Sequence, residues 1–465
     1  MTSPAALFFV SAMVIAPAAA AQDASRPPAT PPQAPTVRPA APTEQDASVR
    51  ATRNTFGVPD TTTYRHVLSV DAAGSVGYDT FAMLQSNDGR PSVVTAPTHP
   101  KARLYDMASG GLSYALNTDR VDLGASISSA LRHYPRFSQF KSISHSGSVG
   151  AAVMLGDRTR IGGTQTISVQ PLLLFRPSAP LLPAGLGQVA APDVDFGAGF
   201  TGYRSYITTA EVTHSWSKTS FSGSYGRHVA EFSSIDGEYD SNVGAVRLTR
   251  GLTRSFGLRL GYGYTETRYR GEAGATTFRN HTLDVGAEFN RALSLTRRTR
   301  ISFAMGTAFL DEYQRRRFEI TGTAKLIRDI GRTWHAVVSY GRNTGFYETV
   351  RAPFFYDGVD AALVGTIARH IFFRAGAGAF FGDLATPSGG GANGFDTWYG
   401  SSGIGIPLSR HLALEVDYLY YGSRFTGSVL VVPGAAPELS RHSVRASLRT
   451  QVPLLQIGRR ERAAR

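Results

Sequence analysis

The chain has no cysteine, and only four of its 48 basic residues are lysine (Lys101, Lys141, Lys218, Lys325). Without cysteine there is no disulfide scaffold, no thiolate metal site and no cysteine nucleophile. Charged residues are scarce, 18% of the chain, where soluble domains carry about 25%. Long apolar runs are missing too. Residues Ala5 to Ala21 form the only one in 465 residues, which excludes a bundle of transmembrane helices, each needing about 20 apolar residues. The sequence holds no H-E-x-x-H, G-x-S-x-G or P-loop pattern, the usual signatures of zinc proteases, hydrolases and nucleotide enzymes. Its arginines are spread over turns, not gathered on one face as a nucleic-acid partner requires. What remains abundant is glycine (49 residues), aromatics (11%) and a net charge of +13.

The first 62 residues read as targeting and spacing. The apolar segment ends in Ala19-Ala20-Ala21, an A-x-A-like cleavage site before Gln22. Residues 1–21 are therefore expected to be a secretory signal peptide, although no basic residue precedes the apolar stretch. Residues 22–62 carry Pro27, Pro28, Pro31, Pro32, Pro35, Pro39, Pro42 and Pro59 among Ala, Thr and Gln. Such a segment cannot bury enough surface to offset its ordering entropy. It is expected to be a linker, acting as a periplasmic tether or as a plain spacer.

The rest of the chain repeats with a period of roughly forty residues. Gly251-Leu252-Thr253-Arg254, Asp329-Ile330-Gly331-Arg332, Thr366-Ile367-Ala368-Arg369 and Pro407-Leu408-Ser409-Arg410 share an apolar-small-Arg pattern. Looser copies surround Arg120, Arg158, Lys218 and Arg297. Between copies the side chains alternate. Leu258, Leu260, Tyr262 and Tyr264 fall on one face, with Arg259, Gly261, Gly263 and Thr265 on the other; Leu412, Leu414, Val416 and Tyr418 oppose Ala413, Glu415 and Asp417. A period of two marks a strand with unlike faces. Eight tight turns give sixteen strands, and one further strand at each end (about 64–80 and 437–450) makes eighteen, with sixteen as the fallback.

Alternation alone fits a soluble sandwich or propeller as well as a membrane barrel. The strands here span about 12–16 residues, enough to cross a bilayer at a tilt. Trp216, Tyr225, Tyr262, Tyr264, Trp334, Tyr340, Trp398, Tyr418 and Tyr420 lie near strand ends, where an aromatic girdle belongs. The expected fold is all-β: a closed antiparallel transmembrane barrel over 63–452 with a basic tail at 453–465, the last strand ending before Pro453. Outer-membrane lipid and lipopolysaccharide are then its surroundings and partners.

A barrel of this size leaves an aqueous bore unless something plugs it. The connections at about 81–108 and 176–197 could each fold inward or remain external. The polar faces assign Arg247, Arg259, Arg374, Arg441, Arg445 and Arg449, with Asp284, Glu288, Glu319, Glu415 and Asp417, to the lumen. These charges either set up a transverse field that orients hydrated or sugar-like solutes or pair across strands along the wall. No catalytic set is apparent, because His145 between Ser144 and Ser146, and His281 after Asn280, point away from their chain neighbours in a strand. Asp236 to Asn242 is an acidic stretch that could hold calcium on an external loop, though without EF-hand spacing. No cofactor is implied.

The segments Gly77-Tyr78-Asp79-Thr80 and Gly111-Leu112-Ser113-Tyr114, with Arg120 and Tyr134, resemble a family of porin-like outer-membrane β-barrels, some of which accompany exopolysaccharide export. The similarity covers roughly residues 64–135. Members often show Tyr-Asp-Asp-Asn where this chain has Tyr78-Asp79-Thr80-Phe81, and barrels usually end on Phe or Tyr, unlike Arg465. The resemblance implies an outer-membrane barrel passing or assisting saccharides, and brings no catalytic residues. The sequence is thus consistent with a channel for small hydrophilic solutes, or with a non-conducting structural or export-accessory barrel.

Overall fold

A computed structural model describes residues 64–80, 103–135, 141–173, 197–232, 237–253, 256–271, 274–289, 299–312, 315–331, 333–347, 350–368, 371–384, 394–426 and 438–459. The expected signal peptide (1–21) and linker (22–62) lie outside the described residues.

Eighteen strands form one antiparallel sheet in which every strand pairs with its sequence neighbours and β1 (Tyr64–Asp79) pairs with β18 (Glu438–Arg459). The sheet is a closed barrel. The other strands are β2 (Arg103–Asn117), β3 (Val121–His133), β4 (Lys141–Leu155), β5 (Thr159–Leu173), β6 (Gly197–Ser215), β7 (Thr219–Phe232), β8 (Gly237–Gly251) and β9 (Phe256–Gly271). They continue with β10 (Gly274–Phe289), β11 (Thr299–Glu312), β12 (Arg315–Ile330), β13 (Trp334–Tyr347), β14 (Val350–Ile367), β15 (Ile371–Leu384), β16 (Gly394–Pro407) and β17 (Leu412–Phe425). All eight basic residues of the repeat fall between strands, from Arg120 between β2 and β3 to Arg410 between β16 and β17. The repeat therefore marks one end of the barrel, the tight-turn end.

The two faces are inverted relative to a soluble protein. Leu283 is 44% exposed, Val285 58%, Leu414 36% and Val416 45%, whereas Glu415 between them is 6% exposed. Ile127, Ile143, Val246, Phe303, Ile320, Val359, Ile404 and Leu448 continue the outward apolar band around the barrel. Inward stand Ser75, Ser144, Ser146, Thr267, Ser443 and Ser447, all buried. This is the arrangement that a hydrocarbon solvent selects, since lipid accepts apolar side chains and punishes unpaired backbone.

Aromatic side chains border the band, and their polar atoms find partners. Tyr225 donates to Asn242 (2.8 Å), Tyr264 to Glu266 (3.1 Å), Tyr340 to Asp357 (2.6 Å) and the Trp398 indole to Tyr420 (3.1 Å). Tyr262 and Tyr418 each pair with a histidine on the next strand, His281 and His442, at 2.9 Å. A ring with an apolar body and a bonded polar tip suits the edge of a bilayer.

The final strand corrects an expectation. β18 does not stop before Pro453 but runs through it to Arg459, paired with β1 as far as Tyr64. Proline is tolerated because the register shifts there: Ser69 pairs with Pro453 and Leu68 with Leu455, so Leu454 is an extra residue. A bulge leaves a position without a ladder bond, which is where a residue lacking N–H fits. The acidic stretch also differs from expectation. Residues 237–242 belong to β8 and not to a loop, and Asp236 lies outside the described residues. Asp240 is held by Arg227 (3.0 Å) and Glu238 by Arg270 (2.9 Å), and no cluster able to hold a metal occurs among the described residues.

Prediction: Val285→Arg lowers stability in lipid vesicles by about 2–4 kcal/mol, the cost of a cation on the lipid face, while Thr282→Arg on the inward face costs far less. Urea titration of the refolded barrel checks it.

Candidate functional site

The inner wall carries a chain of charges across β15, β17 and β18. Arg374 meets Asp417 and lies 3.5 Å from Glu415; Arg445 lies 2.9 Å from Asp417, and Arg449 4.0 Å from Glu415. Arg374 reaches Asp417 over the whole of β16. The residue between them in register is Gly403, and a Cβ there would sit 2.8 Å from the Arg374 Nε. Glycine at this position is the trough through which the pair forms. Arg259 and Asp284 form a second pair at 2.6 Å on β9 and β10. Glu319 takes Arg317 at 3.0 Å and Arg342 at 3.3 Å. Arg247 stands on the inward-alternating side of β8, is exposed, and has no ion-pair partner among the described residues. Glu288 sits opposite Ser302 in register, and its side chain lies outside the described residues.

Arg441 faces inward but does not line the bore. It is 1% exposed and grips Asp79, itself 0% exposed, through its Nε at 3.0 and 3.1 Å and through Nη2. Arg132 adds a third charge 3.9 Å from Asp79 and stacks over Tyr105 at 4.5 Å. Arg441 is on β18 and Asp79 on β1, so this knot ties the first strand to the last. The one sequence signal for Asp79 is its alternation with Ser75 and Gly77, which puts it on the inward face.

The connections at 81–102 and 174–196 lie outside the described residues; among the described residues one element leaves the wall and enters the bore. It is the hairpin of β13 and β14. β12 and β13 pair only from Ile330/Trp334 to Gly322/Arg342, while β13 and β14 stay paired up to Tyr347/Val350. Beyond Arg342, β13 leaves the wall. Thr344 belongs to the side of β13 that faces outward lower down, yet its hydroxyl accepts a hydrogen bond from Asn280, on the inner face of β10, at 2.8 Å. Phe346 and Phe355 share that side and are buried against Tyr239, Tyr269, Phe278 and Leu310 of the inner wall. Arg317 lies 4.3 Å from the Phe355 ring centre. The hairpin's other side presents Phe354 and Tyr356 to Phe380, Phe395, Tyr399, Leu419 and Tyr421. A Cβ at Gly345 would overlap the Phe354 ring, so this glycine lets the two strands fold flat.

A hairpin apolar on both sides is what an inward-folded segment needs, because each side meets a wall. The departure point lies next to the aromatic level. Tyr340, at the aromatic level, is the last outward tyrosine before the split, and Arg342 beyond it faces Asp357 at 3.6 Å. On β12 the outer face stays apolar beyond the split, with Ile320 57% and Phe318 54% exposed.

Histidine and serine are not assembled for catalysis at either sequence candidate. Ser144 and Ser146 are buried inward, His145 is exposed outward, and His281 bonds Tyr262.

No family model matches the sequence, and no curated protein matches it. Solved structures of similar shape include the siderophore receptor PirA from Acinetobacter baumannii (8% identity, TM-score 0.44, covering 84% of this chain and 81% of that one). They also include OpdQ from Pseudomonas aeruginosa (8%, 0.42, 85% and 100%) and OccK11 from the same organism (12%, 0.41, 84% and 96%). At these identities and scores the likeness decides nothing about function.

Prediction: Asp79→Ala removes the carboxylate that buried Arg441 grips and destabilises the barrel by about 3–5 kcal/mol. Asp79→Leu combined with Arg441→Met recovers most of that loss. Denaturant midpoints in detergent compare the three proteins.

Proposed function

We propose that the protein is an outer-membrane channel for small hydrophilic solutes or saccharides. The observation that carries it is the inverted barrel: eighteen strands closed on themselves, apolar outward and polar inward. Only closed barrels and helices satisfy their backbone in a bilayer, and no described helix is long and apolar enough to cross one. A barrel of this strand number encloses more space than its own side chains fill. The tight-turn end is the periplasmic one by the usual asymmetry of such barrels, which places the folded-in hairpin near the outer mouth. There it narrows the passage, and solutes cross beside it along a wall of paired charges.

Single-channel recording of the refolded protein in a planar bilayer tests this directly. Discrete conductance is expected, and a silent bilayer with folded protein overturns the proposal. Phe346→Ala with Phe355→Ala is expected to raise conductance by loosening the hairpin. Because the chain has no cysteine of its own, Asn280→Cys and Thr344→Cys can be joined by a short bifunctional thiol reagent. That bridge is expected to suppress the openings gained by the double alanine variant.

One observation favours a second reading. Two aromatic clusters occupy the two sides of the hairpin, as they would in a sealed barrel that serves as an assembly or polysaccharide-export accessory through its N-terminal arm. Removing residues 22–60 separates the two. A channel keeps its conductance without the arm, whereas an accessory barrel loses a co-purifying partner.

A further inference from the structure

Beneath the hairpin lies a cavity of about 350 Å³, bounded by Arg259, Lys325, Ser339, Asn343, Tyr356 and Asp360. Its lining comes from β9, β11 and β12, from Ser339 to Gly341 of β13 where that strand is still paired with β12, and from Asn343 and Tyr356 at the base of the folded-in hairpin. Phe380 closes the corner, its ring 6.2 Å from that of Tyr356 at 63°.

The charges around the cavity balance. Arg259 is already joined to Asp284 at 2.6 Å, and the Lys325 cation has the oppositely charged Asp360 in the same lining, Asp360 accepting a hydrogen bond from Tyr399 at 2.6 Å. A site with no net charge gives an ion no advantage over water. What it offers instead is hydrogen-bonding side chains of several kinds beside two aromatic faces at an angle. Asn343 is hydrogen-bonded to Tyr356, and Ser339 and Ser302 add hydroxyls from neighbouring wall positions. A ligand complementary to this set has apolar C–H surface for a ring and many hydroxyls for the polar groups. The volume is near the lower end of small-molecule sites, which run from about 300 Å³ upward.

From this geometry we infer that the cavity is a binding site for a neutral saccharide of one or two rings, held under the hairpin as it passes through the barrel. The inference rests on the channel reading for its purpose but not for its test. The refolded protein in detergent is titrated with glucose and with maltose by calorimetry, and the same sugars are added to the bilayer recording. Binding heat and transient current blocks are expected from at least one. Tyr356→Phe, which keeps the ring, and Asn343→Ala are each expected to weaken binding about fivefold or more, the loss of one hydrogen bond. Ser339→Ala substitutes for either variant if it does not fold. Acetate is expected to give neither heat nor block, and a short polyethylene glycol of matching size to give no heat.

Absence of heat with both sugars overturns the site. So does equal affinity in all variants, or an equal response to the glycol, which reduces the effect to bulk. A barrel that conducts without binding sugar refutes this site alone. One that binds sugar without conducting refutes the channel alone.

Discussion

A backbone N–H or C=O facing hydrocarbon has no partner except another strand, and this one fact organises the molecule. It requires that the sheet close, and closure requires that β1 find β18 across almost the whole length of the chain. That pairing also holds the most deeply buried ion pair among the described residues. Asp79 and Arg441 meet at the seam with Arg132 beside them. A buried pair of this kind contributes little net stability over an apolar substitute but makes every mismatched register costly, since each charge left alone is heavily penalised. The bulge at Pro453 acts on the same seam, absorbing one residue so that inward and outward alternation stays in phase along β1.

Among the described strands the wall parts at one place. β12 and β13 separate just beyond the level of Tyr340. Above it the hairpin exchanges its environment. Phe346 and Phe355, which would face outward if the strand continued, turn to the inner wall and become buried. The bore therefore has two chemistries: paired charges along the wall, and aromatic packing around the hairpin, with the cavity between them.

Much of the wall was legible from residue order. Alternation at Leu258 to Thr265 and at Leu412 to Tyr418 assigned the right residues to each face, and the spaced basic residues located the eight connections at one end of the barrel. The pairing of the charges was not legible, because Arg374 and Asp417 are 43 positions apart and separated by a strand whose contribution is an absent side chain at Gly403. The hairpin was hidden for a related reason. Thr344, Phe346 and Phe355 obey the same period as the strands around them, and period says nothing about which wall a strand end will lean against.

Sequence by itself determined the fold class, the strand number and the inversion of the faces, because these depend on local alternation read against a solvent, and alternation is written residue by residue. The tertiary structure alone decided which charge neutralises which, that Asp79 locks the seam, and that the bore is roofed by β13 and β14. Those outcomes depend on distances between strands remote in the chain, which only closure of the barrel brings within reach of a side chain.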